Sequence, residues 1–230
     1  MVINIMVPQK EELPSFAVKD KLSALSHFLG FILAIIATPV LLIKGAMDKK
    51  SLVELISYSI FALSMVLLYG ASSSYHSFNL GDEEKNRRLR KFDHMMIPVL
   101  IAGTYTPLCV TTLHNNGGII LLSAIWILAF LSILFKAFWI TCPRFVSSVI
   151  YIAMGWAVAP YLKVLYTLLT PSGFRLLLLG GIVYTAGGII YASKLPILEK
   201  NRNFRSHELF HLFVLAGTIF HYMMIYSYVA

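Results

Sequence analysis

The sequence predicts an all-α membrane protein, a bundle of seven transmembrane helices with its N-terminus cytoplasmic and its C-terminus outside. Three observations predict it. Of 230 residues, 58% are hydrophobic and only 13% are charged, with a mean hydropathy of +0.75, which an ordinary soluble domain does not show. Apolar stretches recur at about 22–43, 52–75, 94–113, 118–135, 145–168, 174–193 and 207–229, each about as long as a spanning helix must be. Finally, Lys and Arg are shared unequally between the connections. With the N-terminus inside, fourteen fall on the inner side, only Lys44, Lys49, Lys50 and Arg175 on the outer, and Lys163 within the fifth span. Residues 1–21 then form a polar cytoplasmic segment and 22–230 a single seven-helix domain.

The net charge of +8 is not a nucleic-acid signal, because its excess lies in the inner connections. There it sets topology and meets lipid headgroups. Cys109 falls in the outer part of the third span and Cys142 in an inner loop, so a disulfide between them is not expected. The first 20 residues lack a basic leader with a short apolar core, and no removable signal is expected. Their second half, Lys10 to Asp20, fits a short helix lying on the membrane surface and carries no assigned chemistry.

The first span carries Ser26-His27 near its inner end. His27 reads either as an interfacial hydrogen-bonder or as a partner of a site nearby. The second span ends in Tyr69-Gly-Ala-Ser-Ser-Ser-Tyr-His76, where Ser72 and His76, four apart, share a face. His76 is a candidate metal ligand; Ser72 is a candidate site residue or ordinary polar glue between helices. A charged loop, Asn79 to Lys91, leads to Phe92-Asp93-His94 at the start of the third span. Asp93 there either caps the helix or stands beside a metal. His94, about 100° round, lines the interior or touches the loop.

Pro98, Gly103 and Pro107 are expected to interrupt the third span, and Thr104 to Thr106 add polarity, a pattern tolerated where freed backbone faces protein or a cavity. The fourth span is the plainest. Trp156, Pro160 and Lys163 mark the fifth. In the sixth, Gly181-x-x-x-Thr185 and Gly188-x-x-x-Ala192 predict close helix packing.

The seventh span opens with His207-Glu-Leu-Phe-His211, two imidazoles about one turn apart on one helix side, able to reach one metal ion. Glu208 points elsewhere and fits a helix-start role better than a base. The letters match the zinc-protease pattern H-E-x-x-H, but a membrane span follows directly, leaving no cleft for a peptide. His221 lies about 21 Å further along, out of reach of the same ion, as a polar lining residue.

The topology brings His76, Asp93, His207 and His211 to the inner leaflet together. Three His and an open fourth position suit a catalytic Zn2+, which lowers the pKa of a bound water, with Asp93 placed to orient it or take its proton. Ser72-x-x-x-His76, Asp93 seventeen residues later and His207-x-x-x-His211 together resemble the hemolysin III branch of the progestin and adipoQ receptor (PAQR) family, and the resemblance covers nearly the whole chain. It implies Zn2+ on His76, His207 and His211, Asp93 reaching it through water and Ser72 beside it. It also implies kinship with alkaline ceramidases, hence hydrolysis of a lipid amide or ester. The short amino end points to a bacterial member in the inner membrane rather than a hormone receptor. The expected partner is a membrane lipid, as substrate or ligand, with no nucleic acid and the oligomeric state open. Two alternatives stand beside the hydrolase: a membrane sensor with a structural zinc, and a pore-forming protein, for which the sequence offers no amphipathic pore segment.

Overall fold

The computed structural model describes residues 18–194, 196–199 and 204–230, and the surface helix expected before Asp20 lies largely outside them. The chain folds as α1 (Lys21–Met47), α2 (Leu52–Ser77), α3 (Glu83–Pro107), α4 (Gly118–Phe138), α5 (Arg144–Gly155), α6 (Leu162–Leu168), α7 (Pro171–Ser193), the short α8 (Pro196–Glu199) and α9 (Ser206–Tyr228). A π-helical turn, Leu108–Thr112, extends α3, and a 3-10 turn, Trp156–Tyr161, joins α5 to α6. Seven candidate membrane spans result, with α5, its 3-10 turn and α6 making the fifth. Neighbours in sequence pack side by side from α1 to α4, α5 packs on α7, and α7 on α9. Contact of α9 with α1 closes the ring. Large apolar side chains such as Leu25, Ile120 and Phe130 point outward, as hydrocarbon surroundings require.

Two departures from the sequence reading bear on the site. The charged stretch before Asp93 is not a loop: α3 begins at Glu83, about three turns earlier. Asp82 caps it by accepting from the amides of Glu84 and Lys85, and Glu84 pairs with Arg87 and Arg88 one turn on. Asp93 is therefore mid-helix and caps nothing. In addition, α3 runs through Pro98 and Gly103 without a break. Its irregularity is the π turn after Pro107, closed by the Leu113 amide donating to the Leu108 carbonyl at 3.0 Å.

The fifth span is broken instead, and α3 supplies what the break needs. The Tyr105 hydroxyl donates to the Gly155 carbonyl at 2.6 Å and accepts from the Val158 amide at 3.1 Å, so the freed backbone groups are met inside protein. The small residues of α7 work in a shifted register. Against α9 it is Gly180 and Gly187 that admit close approach; a Cβ at these positions would lie 2.3 Å from the His221 ring and 2.6 Å from Phe213 Cβ. Gly188 faces Ile152 of α5, while a Cβ on Gly181 would meet nothing within 4 Å.

Candidate metal centre

At one end of the bundle the approach to α1, the last turn of α2, the middle of α3 and the first turn of α9 converge. His76 and His211 are buried and His207 half-buried, and one ring nitrogen from each lies within 4.8 Å of the others. The Nε2 atoms of His76 and His207 stand 3.3 Å apart. Two imidazole nitrogens bound to one tetrahedral zinc at the usual bond length are also roughly 3.3 Å apart. His211 Nδ1 is buried with no hydrogen-bond partner. Three imidazoles packed with their nitrogens this close offer one another no good donor–acceptor set, and a divalent cation satisfies them. The donor set fits a metal ion such as zinc.

Asp20, to which the sequence reading gave no chemistry, belongs to this centre. Its carboxylate accepts a hydrogen bond from His76 Nδ1 at 2.9 Å, and its amide donates to the His76 carbonyl at 3.1 Å. Asp20 precedes the first residue of α1 but its carboxylate caps no amide there, being engaged with His76 instead. The proton this places on Nδ1 leaves the Nε2 lone pair turned to the cluster, the arrangement by which carboxylates orient histidine ligands. The hydrogen bond from His76, against an opposing effect of partial burial, holds the Asp20 carboxyl below its usual range. Lys19, over the Tyr75 ring at 3.8 Å, fastens the same segment.

Asp93 is buried on α3 with a carboxylate oxygen 4.0 Å from His76 Nε2, and Ser72 lines the cavity with it. Four ligating or acid groups that sequence reasoning singled out, with Ser72, are thus brought together. His27 proves a close neighbour: its ring stacks on His211 with centroids 3.9 Å apart, and its Nε2 lies 3.4 Å from the His211 carbonyl. Glu208 points away and accepts from the Arg205 amide at 2.8 Å, a helix-start role. His221 sits deeper, with Nε2 donating to the Leu177 carbonyl at 3.2 Å.

The cluster opens onto a cavity of about 130 Å³ running between α3, α5, α7 and α9. Ser72, Asp93, His207 and His211 line one part of it; Leu100, Ile152 and Val214 contribute to its apolar walls. Gly181 and Gly188 also line it, which accounts for the missing contact at Gly181. Apolar walls beside a few polar groups are the usual make-up of a small-molecule site.

Comparison with known proteins shows the family. A family model described as "Haemolysin-III related" matches residues 17–222. The chain is 36% identical over 227 residues to "Hemolysin-3" of Bacillus cereus, covering 97% of this chain and 98% of that one. It is 37% identical over 205 residues to the "Hemolysin-3 homolog" of Bacillus subtilis (strain 168), covering 88% and 91%. A more distant match, 26% over 212 residues, is to the "Adiponectin receptor protein" of Drosophila melanogaster, covering 86% of this chain and 48% of the receptor.

Proposed function

The chain belongs to the haemolysin-III related family, and on that premise we propose that it is a zinc-dependent hydrolase of lipid amide or ester bonds. The single observation that carries this reading is the convergence of His76, His207 and His211 beside Asp93 at the wall of an apolar cavity. The excess of Lys and Arg in the connections at this end supports a cytoplasmic amino end, a site in the inner leaflet and, with the Bacillus relatives, residence in a bacterial plasma membrane.

His76, His207 and His211 would hold the ion, and Asp20 fixes the His76 ring. Bound there, zinc polarises a carbonyl oxygen and makes water a competent nucleophile at neutral pH. Asp93 stands where it can take the proton of the attacking water and return it to the departing amine or alkoxide, with Ser72 beside it on the cavity wall. The acyl chain lies in the cavity, so the scissile carbonyl meets these groups without leaving the membrane.

The test is fatty-acid release by zinc-loaded protein in nanodiscs, over a panel of amide and ester lipids. Asp93→Asn is expected to keep zinc and lose about a hundredfold or more in rate. If the zinc-loaded protein cleaves nothing in the panel, the reading is wrong. A second reading, a lipid sensor with a structural zinc, has one observation in its favour: the three imidazoles join α2 to α9, which pack mainly on other helices. It predicts that chelation lowers stability with no product ever formed.

A further inference from the structure

Beside the metal cluster a cation flanks one wall of the cavity. The Arg144 guanidinium lies 5.0 Å over the ring of Tyr191, which lines that wall, and His207 is another neighbour of the same ring, with centroids 5.6 Å apart. One phenol is therefore shared by a cation and the metal site. One guanidinium nitrogen of Arg144 is buried with no hydrogen-bond partner. Ser148, one turn along α5 on the same face, lines the cavity with a buried hydroxyl that also has none. His94 lines it from α3, and its Nδ1 is likewise buried and unmet.

Behind them is Lys136, only 2% exposed at the end of α4, whose ammonium reaches Ser147 Oγ at 2.5 Å and Cys142 Sγ at 3.1 Å. Among the described residues no carboxylate forms an ion pair with Arg144, Lys136 or Arg90. Buried cations and buried unpaired donors are costly unless an acceptor arrives. The acceptor that suits donors offered by α3 and α5 beside one cavity wall is a tetrahedral oxyanion, which guanidinium also binds bidentately. Basic pockets between membrane helices recognise lipid headgroups in this way.

We infer that the cavity wall formed by Ser148 and His94, with Arg144 beside it, binds a phosphate group. Resting on the hydrolase reading above, this makes the lipid a glycerophospholipid, held by its phosphate so that an acyl carbonyl a few bonds away lies across Tyr191 at the metal site. Neutral diacylglycerol, with the same carbonyls and no phosphate, is the discriminated competitor.

The experiment measures affinity of short-chain phosphatidylglycerol and of the matching diacylglycerol for the zinc-loaded full chain in detergent, with inorganic phosphate as competitor. The wild type is expected to prefer the phosphatidylglycerol about tenfold or more, the worth of one charge-assisted hydrogen bond. Arg144→Gln removes the preference with zinc content unchanged, Ser148→Ala weakens it, and Arg88→Gln, an exposed cation on α3, leaves it intact. Displacement by inorganic phosphate assigns recognition to the phosphate alone; no displacement assigns it to the lipid diester, and either supports the site. Equal binding of the two lipids, or a preference that survives Arg144→Gln, overturns it. His211→Ala separates the two proposals, because it ends turnover while the headgroup preference persists.

Discussion

His76 is held by Asp20 at one ring nitrogen, 2.9 Å away, while its other nitrogen faces His207 at 3.3 Å. The carboxylate fixes both the tautomer and the plane of the ring, so the ligand is oriented before any metal arrives. Asp20→Asn is expected to lower zinc affinity about 10- to 100-fold without removing a ligand. Competition against a chelating dye of known affinity measures it, and an unchanged affinity would show that the contact orients nothing of consequence.

The same contact gives a pH dependence. Because the folded-state carboxyl of Asp20 titrates below its unfolded value, its contribution to stability is complete above the unfolded carboxylate range and is lost as pH falls through the folded value. In metal-free protein, lowering the pH below the ordinary carboxylate range should therefore narrow the gap in melting temperature between wild type and Asp20→Asn. The gap is expected to be small, since the Asp20 side chain is 40% exposed. A gap that keeps widening below that range would contradict the assignment.

Two glycines of α7 should respond in opposite directions to the same substitution. Gly187→Ala places a methyl 2.6 Å from Phe213 Cβ, an atom fixed to its backbone, so α7 and α9 must separate, at a cost of about 1–3 kcal/mol. Gly181→Ala enters open cavity and gains helix propensity, up to about 1 kcal/mol of stabilisation. Thermal melts of the two variants in one detergent decide it.

What the sequence made legible follows from what the bilayer imposes. Seven helices could be read because each needs about twenty apolar residues, and His76, His207 and His211 because imidazoles at membrane depth stand out against that background. Asp20 could not be read, since it sits in a polar segment 56 positions from its partner, where any acid looks ordinary. The start of α3 was misplaced because charge suggested a loop. The cap at Asp82 followed by Glu84 with Arg87 and Arg88 was the signal available for a helix running past the apolar stretch. Lys136 and Arg144 were counted as loop charges because composition does not reveal that their side chains turn inward.

Metal removal should loosen the bundle at one seam. Helix α2 packs mainly against α1 and α3, and α9 mainly against α7, rather than against each other, yet His76 of α2 and His207 of α9 approach within hydrogen-bonding distance. An ion bound to both favours the folded state by mass action, by about 2.7 kcal/mol when free zinc is a hundredfold above its dissociation constant. Chelation should lower the melting temperature of the wild type by several degrees. His76→Ala should melt near the chelated wild type and respond little to chelator, because the seam is already open. Asp93→Asn should respond as the wild type does, since Asp93 stands beside the ligands rather than among them. If His76→Ala keeps the full chelation shift, the ion is bound elsewhere and His76 is not its ligand.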